Sequence, residues 1–136
     1  MSGVVLLKIA QSILGVFVGY AVFALSAVVL FRAAGRDSHA QQDLLFTAGA
    51  ILYGMAFAAV GGLIAALIAG RRPVLHAAIV GVILAAGAFA SLVSRPGAGA
   101  IWSQVAAMFL MAPSVFVGGI VAERLSREKP IGLDRA

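Results

Sequence analysis

Arg71, Arg72 and His76 stand close together in the stretch Gly70-Arg71-Arg72-Pro73-Val74-Leu75-His76. Two guanidiniums, with an imidazole one helical turn further on, form a set that can hold a phosphate, and lipid headgroups carry one. These three residues are therefore candidates for binding a ligand or an anionic lipid headgroup. His76 is also the only histidine inside an apolar run, so it is a candidate ligand for haem or a pigment. A bis-histidine haem would need a second intramembrane histidine from another subunit or partner. The structural alternative is an interfacial imidazole bonded to its own turn. Asp37, His39 and Asp43 share one polar segment with Arg36. Two carboxylates and an imidazole can hold a metal, but this spacing matches no metal-site pattern, and a polar loop accounts for them. No metal and no cofactor are expected.

The remaining groups point to packing. Pro113 lacks an amide hydrogen and should kink its helix, freeing the carbonyl of Phe109, so it is a candidate hinge with Met108 and Met111 beside it. Gln11, Ser12, Tyr20, Ser26, Thr47, Tyr53, Ser91 and Gln104 are polar groups in or near apolar runs, suited to hydrogen bonds between helices or to lining a small path. No cysteine is present, which excludes disulfides, thiol catalysis, cysteine-bound zinc and iron–sulfur clusters. No catalytic pair, phosphate loop or nucleophile elbow is found, and an enzyme is not expected.

The elements that must position these residues follow from composition. Hydrophobic residues make up 62% and charged residues 11%, a balance that suits lipid rather than water as the solvent. Four runs free of Asp, Glu, Lys and Arg cover residues 9–31, 44–69, 74–93 and 100–122. About 20 helical residues at 1.5 Å each cross a ~30 Å hydrocarbon core. The runs lack the alternation of barrel strands, and helices satisfy their own backbone in lipid. The first run is read as a retained span with Lys8 reaching the interface, although Leu25-Ser26-Ala27 resembles a cleavage site. The expected fold is an all-α, integral membrane four-helix bundle over residues 1–123, followed by a basic tail, 124–136. Without an intramembrane carboxylate or lysine, ion-coupled transport is disfavoured.

Helix ends are marked by their own signals. Gly35 suits the end of the first helix. Ser38 with Gln41 predicts a capping box that starts the second helix near His39, and Asp43 is the alternative cap. Pro73 fits the first turn of the third helix. Trp102 falls where an interfacial aromatic belongs. The net charge is +5, with the basic residues at the ends of apolar runs rather than on an aromatic-interleaved face. That excludes a nucleic-acid surface and implies contact with anionic lipid headgroups. Lys8, Arg71, Arg72, Arg124, Arg127, Lys129 and Arg135 fall on one side, against Arg32, Arg36 and Arg95 on the other. Both termini are therefore expected in the cytoplasm.

Glycine and alanine form ladders that let backbones approach where lipid gives no hydrophobic reason to associate. Gly15 and Gly19 lie on the first helix, Gly54, Ala58, Gly62, Ala66 and Gly70 on the second, and Ser114, Gly118 and Ala122 on the fourth. The second and fourth helices are expected to be the tightly packed ones. At an offset of fifty-seven, Val60-Gly61-Gly62, Ala65 and Pro73 match Val117-Gly118-Gly119, Ala122 and Pro130. The match fits either two parallel-repeated helical hairpins or convergent punctuation of helix ends.

Gly61, Gly62, Ala65, Ala66, Ala69, Gly70, Arg71, Arg72, Pro73, His76, Ala77, Trp102, Pro113, Gly118 and Gly119 together resemble the pattern of a set of small bacterial four-span membrane proteins without an assigned activity. The resemblance spans Gly15 to Leu125. It implies a four-helix protein of the bacterial inner membrane and supplies no activity. The expected role is a non-enzymatic packing or accessory subunit, as a homo-oligomer or with other membrane subunits. The alternatives are a small passive channel or transporter for a lipid-like or neutral solute and, third, a haem- or pigment-binding subunit through His76.

Overall fold

The computed structural model describes residues 3–38, 40–94 and 101–128. Four helices make up the bundle: α1 (Gly3–Ala33), α2 (Leu44–Ala69), α3 (Pro73–Ser94) and α4 (Ile101–Arg127). All four are long and apolar enough to cross a membrane. At 1.5 Å per residue the 31 residues of α1 measure about 46 Å and the 22 of α3 about 33 Å, so α1 overshoots a ~30 Å core. Helical structure therefore begins six residues before the apolar run of 9–31, at Gly3. At the other end α4 continues through Arg127, so the first residues of the expected tail are helical. Pro130 and the rest of that tail lie outside the described residues.

Local chemistry sets the ends. Gly35 takes a left-handed φ of 63°. Arg36 N–H donates to Phe31 O (3.0 Å) and Gly35 N–H to Arg32 O (3.1 Å), which closes α1 in a Schellman motif. The second helix starts at Leu44, not near His39. Its cap is Asp43, whose carboxylate accepts from Phe46 N–H at 2.9 Å. Gln42 turns away to Asp37 O (2.7 Å), and Arg36 fixes Asp43 by an ion pair. The same guanidinium stacks on Phe46, 4.4 Å from the ring centroid, and Phe46 meets Phe31 edge-on at 5.6 Å. Arg36 thus ties the end of α1 to the start of α2. Gly70 leaves the α2 ladder, because with φ 64° it terminates the helix and donates to Ala66 O.

Packing is inverted relative to a soluble protein. The fully buried residues are small or β-branched: Ala65, Ala77, Val80 and Val115 are 0% exposed. The large apolar side chains Phe17, Leu52, Val82 and Phe109 face outward. In lipid an exposed phenylalanine costs nothing, and helices gain by close backbone approach. α2 is central, touching all three other helices, while α1 packs on α2 and less closely on α3. A Cβ on Gly19 would lie 2.5 Å from Gly61 O, and one on Gly61 would lie 2.5 Å from Gly19 O. Gly15 faces Ala65 O at 2.7 Å in the same sense. On the other side of α2, Gly62 abuts the Val115 backbone, and Gly118 abuts Ala59 O and Leu63 N. Gly54 is filled by the Met111 side chain. Ala58, Ala66 and Ser114 are buried with them. α2 is thus in close backbone contact with α1 as well as with α4.

The matched glycine pairs do not make matched contacts. Gly61 meets its hairpin partner α1 and Gly62 meets α4, whereas Gly118 meets α2 and Gly119 meets its hairpin partner α3, through Ala77 and Val74. The two copies thus use opposite members of the pair for the same job.

Candidate functional site

The α2–α3 turn is built around one carbonyl. Pro73 disfavours the right-handed helical region for the residue before it, and Arg72 takes φ 43°, a left-handed conformation uncommon for a residue with a Cβ. Its carbonyl accepts from Leu75 N–H (3.0 Å), His76 N–H (3.3 Å) and His76 Nδ1 (3.1 Å). Three donors on one oxygen hold a strained residue in place. A carbonyl can only accept, so His76 Nδ1 carries the proton, and in the neutral ring Nε2 is left as an acceptor. The imidazole is 5% exposed and Nε2 has no hydrogen-bond partner among the described residues.

His76 lines a groove of about 410 Å³ between α1 and α3, with Ser12, Ile13, Val16, Phe17 and Tyr20 on α1 and Ile79 and Ile83 on α3. Its walls are almost wholly apolar. Arg71 reaches across the rim to donate to Ser12 Oγ at 3.4 Å, and Ser12 in turn donates to Lys8 O at 2.9 Å. Neither Arg71, Arg72 nor Lys8 has a carboxylate partner among the described residues. The structure thus brings together two of the three residues proposed from sequence, Arg71 and His76, at one groove. Arg72 contributes its backbone. Ser12 and Tyr20 join the site from α1; in the sequence they are two of eight intramembrane polar residues, with no mark of their nearness to a histidine some sixty positions on.

A second cavity, of about 150 Å³, lies further along α1 toward the other end of the bundle. Its lining includes Phe23, Ser26, Tyr53, Trp102 and Met111. Trp102 is turned into this cavity rather than outward as an interfacial aromatic, and its Nε1 is buried without a partner among the described residues. Tyr53 donates to Ser26 O at 3.2 Å, one of the expected interhelical hydrogen bonds, while Ser26 and Ser114 bond their own helices instead.

Pro113 is exposed, and its effect appears just before it as a π-helical turn, Ala107–Met111. Ala112 N–H donates to Ala107 O, five residues back, which widens the helix where the proline removes a donor. In the loop, Asp43 is committed to the cap and to Arg36, and His39 lies outside the described residues. The Phe46 N–H, then Arg36, hold the Asp43 carboxyl below the usual carboxylate range. No group of three or more metal-binding side chains lies among the described residues. No protein-family model, curated protein or solved structure matches the chain.

Proposed function

We propose that this integral membrane protein is a non-enzymatic subunit that acts by packing, against copies of itself or against other membrane proteins. The observation that supports this is the outer face of α3. Gly15, Gly19, Gly61, Gly62 and Gly118 are all consumed by contacts within the bundle. On α3, by contrast, Ala86, Gly87 and Ala90 are exposed, and the only atom near a Cβ on Gly87 is the Tyr20 hydroxyl at 4.0 Å. Such a face lets a further helix approach closely. Native mass spectrometry after gentle extraction tests the reading. A stoichiometric oligomer or complex, lost in Gly87→Leu, is expected, and bare monomers without a co-purifying partner would overturn it.

The proposed setting is the bacterial inner membrane with both termini cytoplasmic, from the excess of Lys and Arg at that end. Because the chain has no cysteine, single cysteines at Ser126 and Ala40 report sidedness directly. A membrane-impermeant maleimide applied to intact cells should label the second and spare the first.

A second reading, passage of a lipid-like solute, is supported by the succession of the two cavities along α1, at residues 12–20 and then 23–31. Transbilayer lipid movement in proteoliposomes at a rate no greater than in empty vesicles would dispose of it.

A further inference from the structure

We infer that the groove between α1 and α3 is a binding site for a single-chain anionic glycerophospholipid, a lysophospholipid, with its phosphate at Arg71 and its free glycerol hydroxyl donating to His76 Nε2. This does not depend on the packing role proposed above, although Gly87 lies one turn beyond Ile83 on the same side of α3, next to Tyr20 at the foot of the groove.

The polar features of the groove are arranged by depth. At the rim stands Arg71, held by Ser12 and without a carboxylate partner among the described residues, with Lys8 on the adjacent turn of α1. An anionic phosphate satisfies a guanidinium at that level. About one helical turn deeper is His76. Its Nδ1 proton is fixed on Arg72 O, so Nε2 of the neutral ring can only accept. The ester carbonyls of a diacyl lipid are acceptors too and leave it unpaired. Nε2 opens into the groove, and an acceptor that a filled groove cuts off from water is costly to leave without a donor. The hydroxyl that a lysophospholipid exposes, a few bonds below its phosphate, is a donor at the right level. Below His76 the walls are Ile13, Val16, Phe17, Ile79 and Ile83, down to Tyr20. From Ser12 to Tyr20 the groove runs about 12 Å along α1 at 1.5 Å per residue. Its volume of about 410 Å³ accommodates one acyl chain.

Binding of three lipids to the purified full-length protein, measured by native mass spectrometry in a neutral detergent, tests this. The lipids are monoacyl phosphatidylglycerol, diacyl phosphatidylglycerol and monoacyl phosphatidylcholine. The monoacyl anionic lipid should bind at least tenfold more tightly than either of the others. His76→Asn places an amide donor where Nδ1 stood, so the bond to Arg72 O survives, but it has no atom at the Nε2 position. It should erase the preference for the monoacyl over the diacyl lipid. His76→Gln offers a carbonyl near the Nε2 position and should retain part of it. Arg71→Gln should weaken both anionic lipids about equally and the phosphatidylcholine less, because its choline cation already offsets the phosphate charge at that rim. Ile83→Trp, a partly exposed position, should fill the groove and abolish binding while the protein still extracts as a folded bundle. Equal binding of monoacyl and diacyl anionic lipids, unaltered in His76→Asn, would overturn the assignment. So would monoacyl binding that survives Ile83→Trp.

Discussion

The seam between α2 and α4 and the seam between α1 and α3 are made of the same kinds of helix in the same solvent, yet one is closed and the other open. At the first, Gly62 and Gly118 bring backbone against backbone. At the second, Ile13, Val16, Phe17, Ile79 and Ile83 hold the helices apart around a groove with one buried imidazole. In lipid, neither seam is driven by removing apolar surface from water. Close approach must come from dispersion between backbones, which only small residues permit. Where bulky side chains meet instead, they leave space that the solvent, here a lipid chain, can enter.

Substitutions that act unequally on the two seams sharpen the contrast. The largest effect should come from Gly118→Ala, whose added methyl meets Ala59 O and sits 2.5 Å from Leu63 N, backbone atoms of a helix hemmed in on three sides. A loss of about 3 kcal/mol, the upper part of the overpacking range, is expected in steric-trapping unfolding. Gly19→Ala meets Gly61 O at a similar 2.5 Å, but α1 lies at the edge of the bundle and can move outward. Its cost should be nearer 1–2 kcal/mol by the same measurement. Ile83→Ala at the open seam should cost under about 1 kcal/mol, because the side chain already faces lipid and its cavity refills. A loss at Ile83 equal to that at Gly118 would break the comparison.

The smallest effect lies outside both seams. Asp43 has a carboxyl pKa lowered in the folded state by Phe46 N–H and then by Arg36. A lowered folded pKa contributes stability that is complete above the ordinary value of 3.8 and lost as pH falls below it. The protein should therefore lose stability on acidification in that window, and Asp43→Asn, which keeps a cap acceptor, should flatten the profile in a thermal melt taken at successive pH values.

Much of the fold was legible in the residues themselves. The span 44–69 coincides with α2, and 74–93 differs from α3 by one residue at each end. The candidate site was half legible. Arg71 stands out as a basic group at the edge of an apolar run and His76 as the histidine inside it. Of the two caps the sequence offers for α2, Ser38 and Asp43, the helix uses Asp43. Ser38 and Gln41 have the spacing of a capping box, whereas Asp43 offers a carboxylate that serves the helix amide and Arg36 together. Trp102, expected to face outward at the interface, turns inward onto the second cavity, since a helix apolar on every side carries no stripe to show which face turns inward.

The sequence by itself determined the solvent, the number of helices and most of their ends. Those depend on local matters: uncharged length against bilayer thickness, left-handed glycines and fixed proline dihedrals. Only the tertiary structure decided which glycine meets which helix, and so why Gly61 and Gly118 hold matched places in the repeat but face different partners. It alone decided that Ser12 would meet Arg71 and that His76 would show one free nitrogen to a groove. The reason is physical. In lipid the apolar pattern is the same on all sides of a helix, so the rotation of each helix is fixed by contacts between residues far apart in the chain.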